Sequence, residues 1–252
     1  MKLSGHTILI TGGSVGIGLA FAAKFLELGN EVIITGRRQA KLDEAKAKYP
    51  KLHTIVSDVS RASEVTKLAA EVKQRFPKLD VLMNNAGVMV NRNLGKPAAD
   101  LEALTSEMDT NVHGTIWTTS ALIDVLRANK GTIINVSSGL AFAPLAAAPI
   151  YCATKAAIHS YTTSLRFQLQ DAGVHVVELM PPAVKTELAD VPPEVKVIST
   201  DELVAATIPA LEAGKVEIRP GQANQLHWMS RVAPGFINEQ LFKGSKSLIP
   251  AE

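Results

Sequence analysis

Tyr151 and Lys155 stand four residues apart in the run Tyr-Cys-Ala-Thr-Lys, and Ser138 precedes the tyrosine by thirteen residues. On a helix, positions i and i+4 share a face, which brings the lysine ammonium close to the phenol. A free tyrosine, with a pKa of about 10, is a poor acid or base at neutral pH. A neighbouring cation favours the phenolate and lowers that value. A serine hydroxyl nearby can hold a substrate oxygen, so the three groups form a proton donor and acceptor for a carbonyl/alcohol pair. Taken alone, the pattern also fits a core helix with one aromatic and one lysine whose stem lies along the surface.

The elements that must position these residues begin at the N-terminus. Residues 7–11, Thr-Ile-Leu-Ile-Thr, read as a short buried strand. Gly12-Gly13-Ser14-Val15-Gly16-Ile17-Gly18 follows, then an apolar-periodic helix from Leu19 to Leu28 that stops at Gly29. Strand, glycine-rich turn and helix are the context of a dinucleotide-phosphate site. The glycines let backbone approach a pyrophosphate, and the helix N-terminus offers free N–H groups. The spacing is G-x-x-x-G-x-G rather than G-x-G-x-x-G. The next strand, 31–35, ends in Gly36-Arg37-Arg38, where an NAD-selective site would carry an acid for the ribose 2′-hydroxyl. A guanidinium fork suits a 2′-phosphate instead, so the pair points to NADP, with NAD possible. The alternative is a solvated basic turn.

With these motifs in place the chain resembles the short-chain dehydrogenase/reductase family over roughly residues 5–220. Thr-Gly-Gly-Ser-Val-Gly-Ile-Gly at 11–18 is similar to the family's T-G-x-x-x-G-x-G, and Asn84-Asn85-Ala86-Gly87 to its N-N-A-G element. Asn111 matches the asparagine of its central helix, and Ser138, Tyr151 and Lys155 match its serine and Y-x-x-x-K. The resemblance implies that Tyr151 is the general acid/base, that Lys155 binds the nicotinamide ribose and lowers the tyrosine pKa, and that Ser138 holds the carbonyl. It implies that Asn111 supports a water leading from Lys155 to solvent. It places Gly12, Ser14, Gly16, Ile17 and Gly18 on the cofactor phosphates, Asp58 and Val59 by the adenine, and Asn85, Ala86 and Gly87 along the cleft. Pro181, Val184 and Thr186 fall where the family meets the nicotinamide. Pro182 replaces a common glycine and removes one amide from that loop. The Pro-Pro-Ala-Val element resembles the DltE-like oxidoreductases.

Further strand signals recur at 53–56, 80–84, 131–137, 174–180 and 216–219, with helical patterns between most of them, including long ones around 98–128 and 151–172. Alternation of this kind predicts an α/β chain: one Rossmann-type domain over 1–252, a doubly wound parallel sheet with helices on both faces. The site residues then follow strands and converge on one sheet edge. Residues 187–214 are expected to cover the substrate, with Ser199 to Glu202 opening a helix as a capping box. The tail after Gly221 has apolar residues with no place in the sheet. Met89, Trp117, Ala141, Leu145 and Ile150 are expected as an apolar substrate wall.

The formal net charge of +2, with both signs mixed throughout, gives no single-sign block for nucleic acid or a membrane surface. One cysteine, Cys152, suits a reducing compartment, and no signal segment is evident, so a cytoplasmic location is expected. The six histidines lack ligand spacing, so no metal is expected. The reading is an NADP-preferring oxidoreductase acting on a fairly apolar carbonyl or alcohol, assembled as a homodimer or homotetramer. Its rivals are a catalytically silent NAD(P)-binding sensor or scaffold, and a sugar-nucleotide epimerase or dehydratase of the extended branch.

Overall fold

The computed structural model describes residues 2–188 and 195–250. Among them, seven parallel strands form one sheet: β1 (Thr7–Ile10), β2 (Glu31–Gly36), β3 (His53–Val56), β4 (Leu79–Asn84), β5 (Thr132–Val136), β6 (His175–Leu179) and β7 (Glu217–Ile218). Their order is β3-β2-β1-β4-β5-β6-β7. Each lies where an apolar run predicts it, with ends displaced by at most one residue.

Side chains of a strand alternate between faces, and the two cores separate accordingly. Ile8 and Ile10 of β1, with Val32 and Ile34 of β2, face one core. Phe21 and Phe25 of α1 (Gly16–Glu27) complete it, together with Leu42 of α2 (Gln39–Lys48) and Leu203 of α7 (Thr200–Glu212). Leu9 and Ile33 face the other core with Leu68 of α3 (Ala62–Arg75), Leu122 of α5 (Gly114–Ala128) and Leu165 of α6 (Pro149–Gln168). Burial on both faces explains why the strands read as continuous apolar runs.

The helix expected around 98–128 is not continuous. It divides into α4 (Leu101–Thr105), a wide π-turn over Asp109–His113, and α5. The wide turn aims Asn111 at a neighbouring segment: its Oδ1 accepts from Val88 N at 2.8 Å and its Nδ2 donates to Val88 O at 2.9 Å. α6 starts earlier than expected, with Pro149 in its first turn, where a missing N–H costs nothing. The capping box forms: Ser199 Oγ accepts from Glu202 N, and the Glu202 carboxylate accepts from Ser199 N. α7 then packs against α1 and the sheet core.

The tail forms two helices, α8 (Gln222–Val232) and α9 (Pro234–Ser245), which periodicity did not resolve. No described helix is long and apolar enough to cross a membrane.

Candidate active site

At the carboxyl ends of the strands lies a cavity of about 1010 Å³. β1 has β2 on one side and β4 on the other, so the chain reverses its direction of winding there. Loops diverge at such a point and leave a crevice.

The turn after β1 is shaped by close backbone approaches. Gly12 has φ +63°, and a Cβ on it would lie 2.8 Å from Ala86 Cα. A Cβ on Gly18 would lie 2.5 Å from Gly12 O. Asn85 locks this turn, its Nδ2 donating to Thr11 O at 3.0 Å and Gly12 O at 3.1 Å. Thr11 Oγ1 in return accepts from Asn85 N and Ala86 N. The glycine turn and the N-N-A-G element are therefore one hydrogen-bonded unit. The N-terminus of α1 has no side-chain cap and no acid in its first turn. Gly16 (φ +55°) faces the Thr186 methyl, 3.4 Å from an added Cβ, across the cleft.

Arg37 is exposed beside the cavity and has no charged partner among the described residues. Arg38 does: its Nη2 lies 3.3 Å from Glu187 Oε2, with both side chains exposed. Asp58 Oδ1 accepts from Ser60 N and Ser60 Oγ, which fixes its carboxylate at the cavity edge.

At the other end, the start of α6 presents Tyr151 and Lys155, both buried. The Ser138 hydroxyl lies in the same cavity as the Tyr151 phenol and favours its ionised form. Ser138 Oγ accepts from Leu140 N at 3.1 Å, fixing the short turn Gly139–Ala141. Lys155 Nζ donates to Val136 O at 2.9 Å and lies 5.5 Å from the centroid of the Tyr151 ring. Gly87 backs onto both partners: a Cβ there would sit 3.4 Å from Asn111 Oδ1 and 3.6 Å from Lys155 Nζ. Asn111 Nδ2 also donates to Thr154 Oγ1 at 3.0 Å, tying the π-turn to α6.

Burial governs the electrostatics. It pushes the Tyr151 phenol above its ordinary range, and the nearby Ser138 hydroxyl partly offsets this. It pulls the Lys155 ammonium down to about 8, while the nearby Glu178 carboxylate acts in the opposite direction. It pushes the Cys152 thiol up to about 11, which makes that sulfur a packing group rather than a nucleophile.

Of the catalytic and cofactor residues singled out from sequence, all but two line this one cavity; Gly18 and Asn111 stand behind it as supports. The expected apolar wall needs correction. Met89 and Leu145 border the cavity, but Ala141, Ile150 and Trp117 do not. Trp117 instead stacks on His113, one turn earlier, at 5.1 Å. The missing part of the wall comes from the C-terminal helices: Leu226 and Met229 of α8, and Phe236, Ile237 and Leu241 of α9. From the stretch 187–214 the described cavity residues are Glu187, Leu188, Val195 and Lys196. One sequence signal could have revealed the tail's role. Gly139, beside Ser138, leaves only 3.2 Å between an added Cβ and Ala223 Cα, so its missing side chain admits α8.

Known proteins resemble this chain in sequence and fold. The family model for short chain dehydrogenase matches residues 6–194. The oxidoreductase DltE of Bacillus subtilis, described as uncharacterized, is 38% identical over 247 residues, 96% of this chain and 98% of its own. Serine 3-dehydrogenase of Rhizobium radiobacter is 31% identical over 233 residues, 92% of this chain and 90% of its own. A short chain dehydrogenase of Burkholderia cenocepacia, solved in complex with NADP, superposes with a TM-score of 0.84 at 28% identity, over 96% of this chain and 99% of that one. The chain belongs to the short-chain dehydrogenase family of oxidoreductases.

Proposed function

We propose that the protein is an NADP-preferring carbonyl reductase or alcohol dehydrogenase for neutral, apolar substrates. The observation that carries this is that Tyr151, Ser138 and Lys155 line the same cavity that the glycine turn opens, with Lys155 Nζ 5.5 Å from the centroid of the Tyr151 ring. The residues fit a dinucleotide. Glycines stand where any Cβ would strike backbone. The α1 N-terminus is uncapped, and Arg37 is a free exposed cation. A bound nicotinamide supplies or accepts the hydride, which no side chain can do. The support from the Burkholderia structure is that it binds NADP within the same fold.

The chain's own groups do the rest. Ser138 and Tyr151 hold the substrate oxygen, and Tyr151 donates its proton in reduction or removes one in oxidation. The phenol loses that proton only with help, because burial disfavours the phenolate. Lys155 is the cation placed to give it. Asn111 holds Val88 and α6 in place behind them. The apolar side chains of α8 and α9 exclude water and favour a lipophilic ketone or aldehyde. A zwitterion such as serine would need paired charges, and among the described residues α8 and α9 bring none to the cavity.

We also propose a homodimer or homotetramer, because Leu101 of α4 and Phe167 of α6 are 73% and 72% exposed. Sedimentation at micromolar concentration is expected to show no monomer. The deciding experiment for the activity is a panel of apolar and charged carbonyls and alcohols with NADPH, NADH and their oxidised forms, followed at the nicotinamide absorbance. Turnover of lipophilic carbonyls with NADPH is expected. Cofactor binding with no turnover of any of them would leave a silent binding protein.

A further inference from the structure

Among the described residues two carboxylates, Glu107 and Glu178, are fully buried and unused by the reaction centre; Glu107 is paired with Arg92, and Glu178 lies beside the strand that leads to Ser138. Glu178 of β6 is fully buried, paired in register with Asn135 of β5. Its Oε1 accepts from Ser137 Oγ at 2.5 Å, and its Oε2 lies 2.9 Å from His159 Nδ1. Ser137 stands between Val136, whose carbonyl holds Lys155 Nζ, and Ser138. Ser137 N also donates to Leu179 O at 2.9 Å. His159 lies on α6, one turn beyond Lys155 and two beyond Tyr151, and is 29% exposed. A carboxylate is strongly disfavoured in a sheet interior unless it is paired and hydrogen-bonded. Structural convenience does not explain it, since an aliphatic residue would fill this site as Val176, its neighbour on the same face of the strand, does.

We propose that Glu178 is a positioning residue of the reaction centre: its carboxylate, clamped between Ser137 and His159, is the counter-charge that keeps Lys155 protonated and its Val136 anchor in place, and His159 is the end of this relay that solution protons reach. Lys155 carries the cation needed by Tyr151, so the inference rests on the function proposed above. The direction agrees with electrostatics, for Glu178 is the charge that opposes the effect of burial on Lys155. His159 is in turn pulled upward, chiefly by its hydrogen bond with Glu178. Other charged groups bear on the outer end. Glu217 of β7 raises His159 and Arg231 of α8 lowers it. Glu217 is shared with Arg166 at 3.7 Å and Arg219 at 3.0 Å. His227 of α8 packs against the same Phe142 ring that His159 meets. Around Lys155 the facing groups are Tyr151 of its own helix, Asn111 and Glu178.

The test reads the coupling from both ends. Coupling is reciprocal, so removing the ammonium must be felt at the imidazole. In the full-length protein, the His159 ring proton is titrated by NMR in wild type and Lys155→Met. The His159 pKa is expected to rise by about half a unit or more in the variant, since Glu178 then acts on the imidazolium alone. A change under about 0.2 units would overturn the proposal. At the other end, Glu178→Gln keeps the shape and removes the charge. Its pH–rate profile is expected to lose activity about one pH unit earlier on the alkaline side than wild type. Ser137→Ala, which loses a hydrogen bond and keeps the charge, is expected to leave that limb in place. A Glu178→Gln enzyme slowed equally at every pH, with its limb unmoved, would also reject the idea. If Glu178→Gln does not fold, the His159 titration still decides. If no carbonyl is ever turned over, the proposed function fails while the same titration still reports whether Glu178 links the two side chains.

Discussion

The glycine turn after β1 and the wall formed by α8 and α9 face each other across one cavity, and they are specified in opposite ways. The first is made of backbone. Its shape depends on Gly12 and Gly18, where a Cβ would meet Ala86 or Gly12 itself at under 3 Å, and on Asn85, whose amide has carbonyl partners in the turn. The second is made mainly of interchangeable apolar side chains, Leu226, Met229, Phe236, Ile237 and Leu241, with Gln222, Gln225 and Gln240 among them, carried by two helices from the end of the chain. Where backbone meets backbone only one residue type is tolerated, so the pattern is rigid. Where side chains line a space many sets fill it equally well, and the identity of the ligand is written loosely. The cofactor end of the cavity should therefore respond to single changes steeply, and the substrate end gradually.

The largest effect is expected where the two ends meet. Tyr151→Phe keeps the ring and removes the transferable proton, so kcat should fall by at least about a hundredfold. Cofactor affinity, measured by quenching or enhancement of nicotinamide fluorescence, should stay within about threefold, a change under 1 kcal/mol. A variant with near-normal turnover would remove Tyr151 from the chemistry. One with lost cofactor binding would show that the phenol is a structural strut of the cofactor end.

Arg37→Ala probes the cofactor end on its exposed side. A charge-assisted hydrogen bond to a phosphate contributes about 1.5–3 kcal/mol, which corresponds to roughly ten- to hundredfold in kcat/KM for NADPH over NADH. Wild type should show a preference of that order, and Arg37→Ala should lose most of it. Arg38→Ala should lose less, because Arg38 is engaged with Glu187. Equal use of both cofactors by wild type and Arg37→Ala would make the arginine pair a solvated turn. The complementary change, Gly36→Asp, is a poor probe: a Cβ at Gly36 would lie 2.9 Å from Ser14 Oγ, so the new acid would also disturb the turn.

This contrast explains what could be read before the structure. The strands were legible because a sheet covered on both faces forces continuous β-branched runs, as in Thr7–Ile10 and Glu31–Gly36. The cofactor end was legible because close approach demands glycine. The break at Asp109–His113 was not, since a π-turn is a response to a distant partner, Val88, rather than to local propensity. Glu178 and His159 were not, since a carboxylate in a strand and a histidine on a helix acquire meaning only when the register of β6 brings them together. Trp117 misled because size and apolarity do not say which face of a helix a residue occupies; it stacks on His113 away from the cavity.

Leu226→Ala and Met229→Ala test the substrate end. Each removes a few methylene-sized groups from the wall, and such losses are worth about 1–3 kcal/mol in an apolar pocket. KM for the best lipophilic carbonyl is expected to rise about tenfold, with NADPH affinity unchanged and short-chain carbonyls hardly affected. A fall in NADPH affinity equal to the rise in KM would mean that α8 belongs to the cofactor end, and the division drawn above would fail.

The smallest effect concerns stability, at the outer edge of the substrate end. His159 and His227 meet the same Phe142 ring, at 5.0 and 4.6 Å, and are displaced in opposite directions. The hydrogen bond with Glu178 raises His159, whereas burial and then Arg219 and Arg231 lower His227. A histidine raised on folding stabilises the native state fully below the unfolded value of about 6.5, and loses that contribution as pH rises through the folded value. A lowered histidine does the reverse: it costs nothing well above 6.5, and destabilises progressively as pH falls from there toward its folded value. His159→Gln keeps a donor for Glu178 and removes the charge. Its deficit in unfolding free energy should therefore be largest near pH 6, at no more than about 1 kcal/mol for a partly exposed ion pair, and should shrink toward pH 8.5. His227→Gln should show the mirror image, matching wild type at pH 8.5 and exceeding it in acid. Denaturant unfolding of the three proteins at both pH values separates the two signs. A His159→Gln deficit that grows as pH rises would mean that the imidazole serves as a neutral packing group, and that Glu178 is satisfied without its charge.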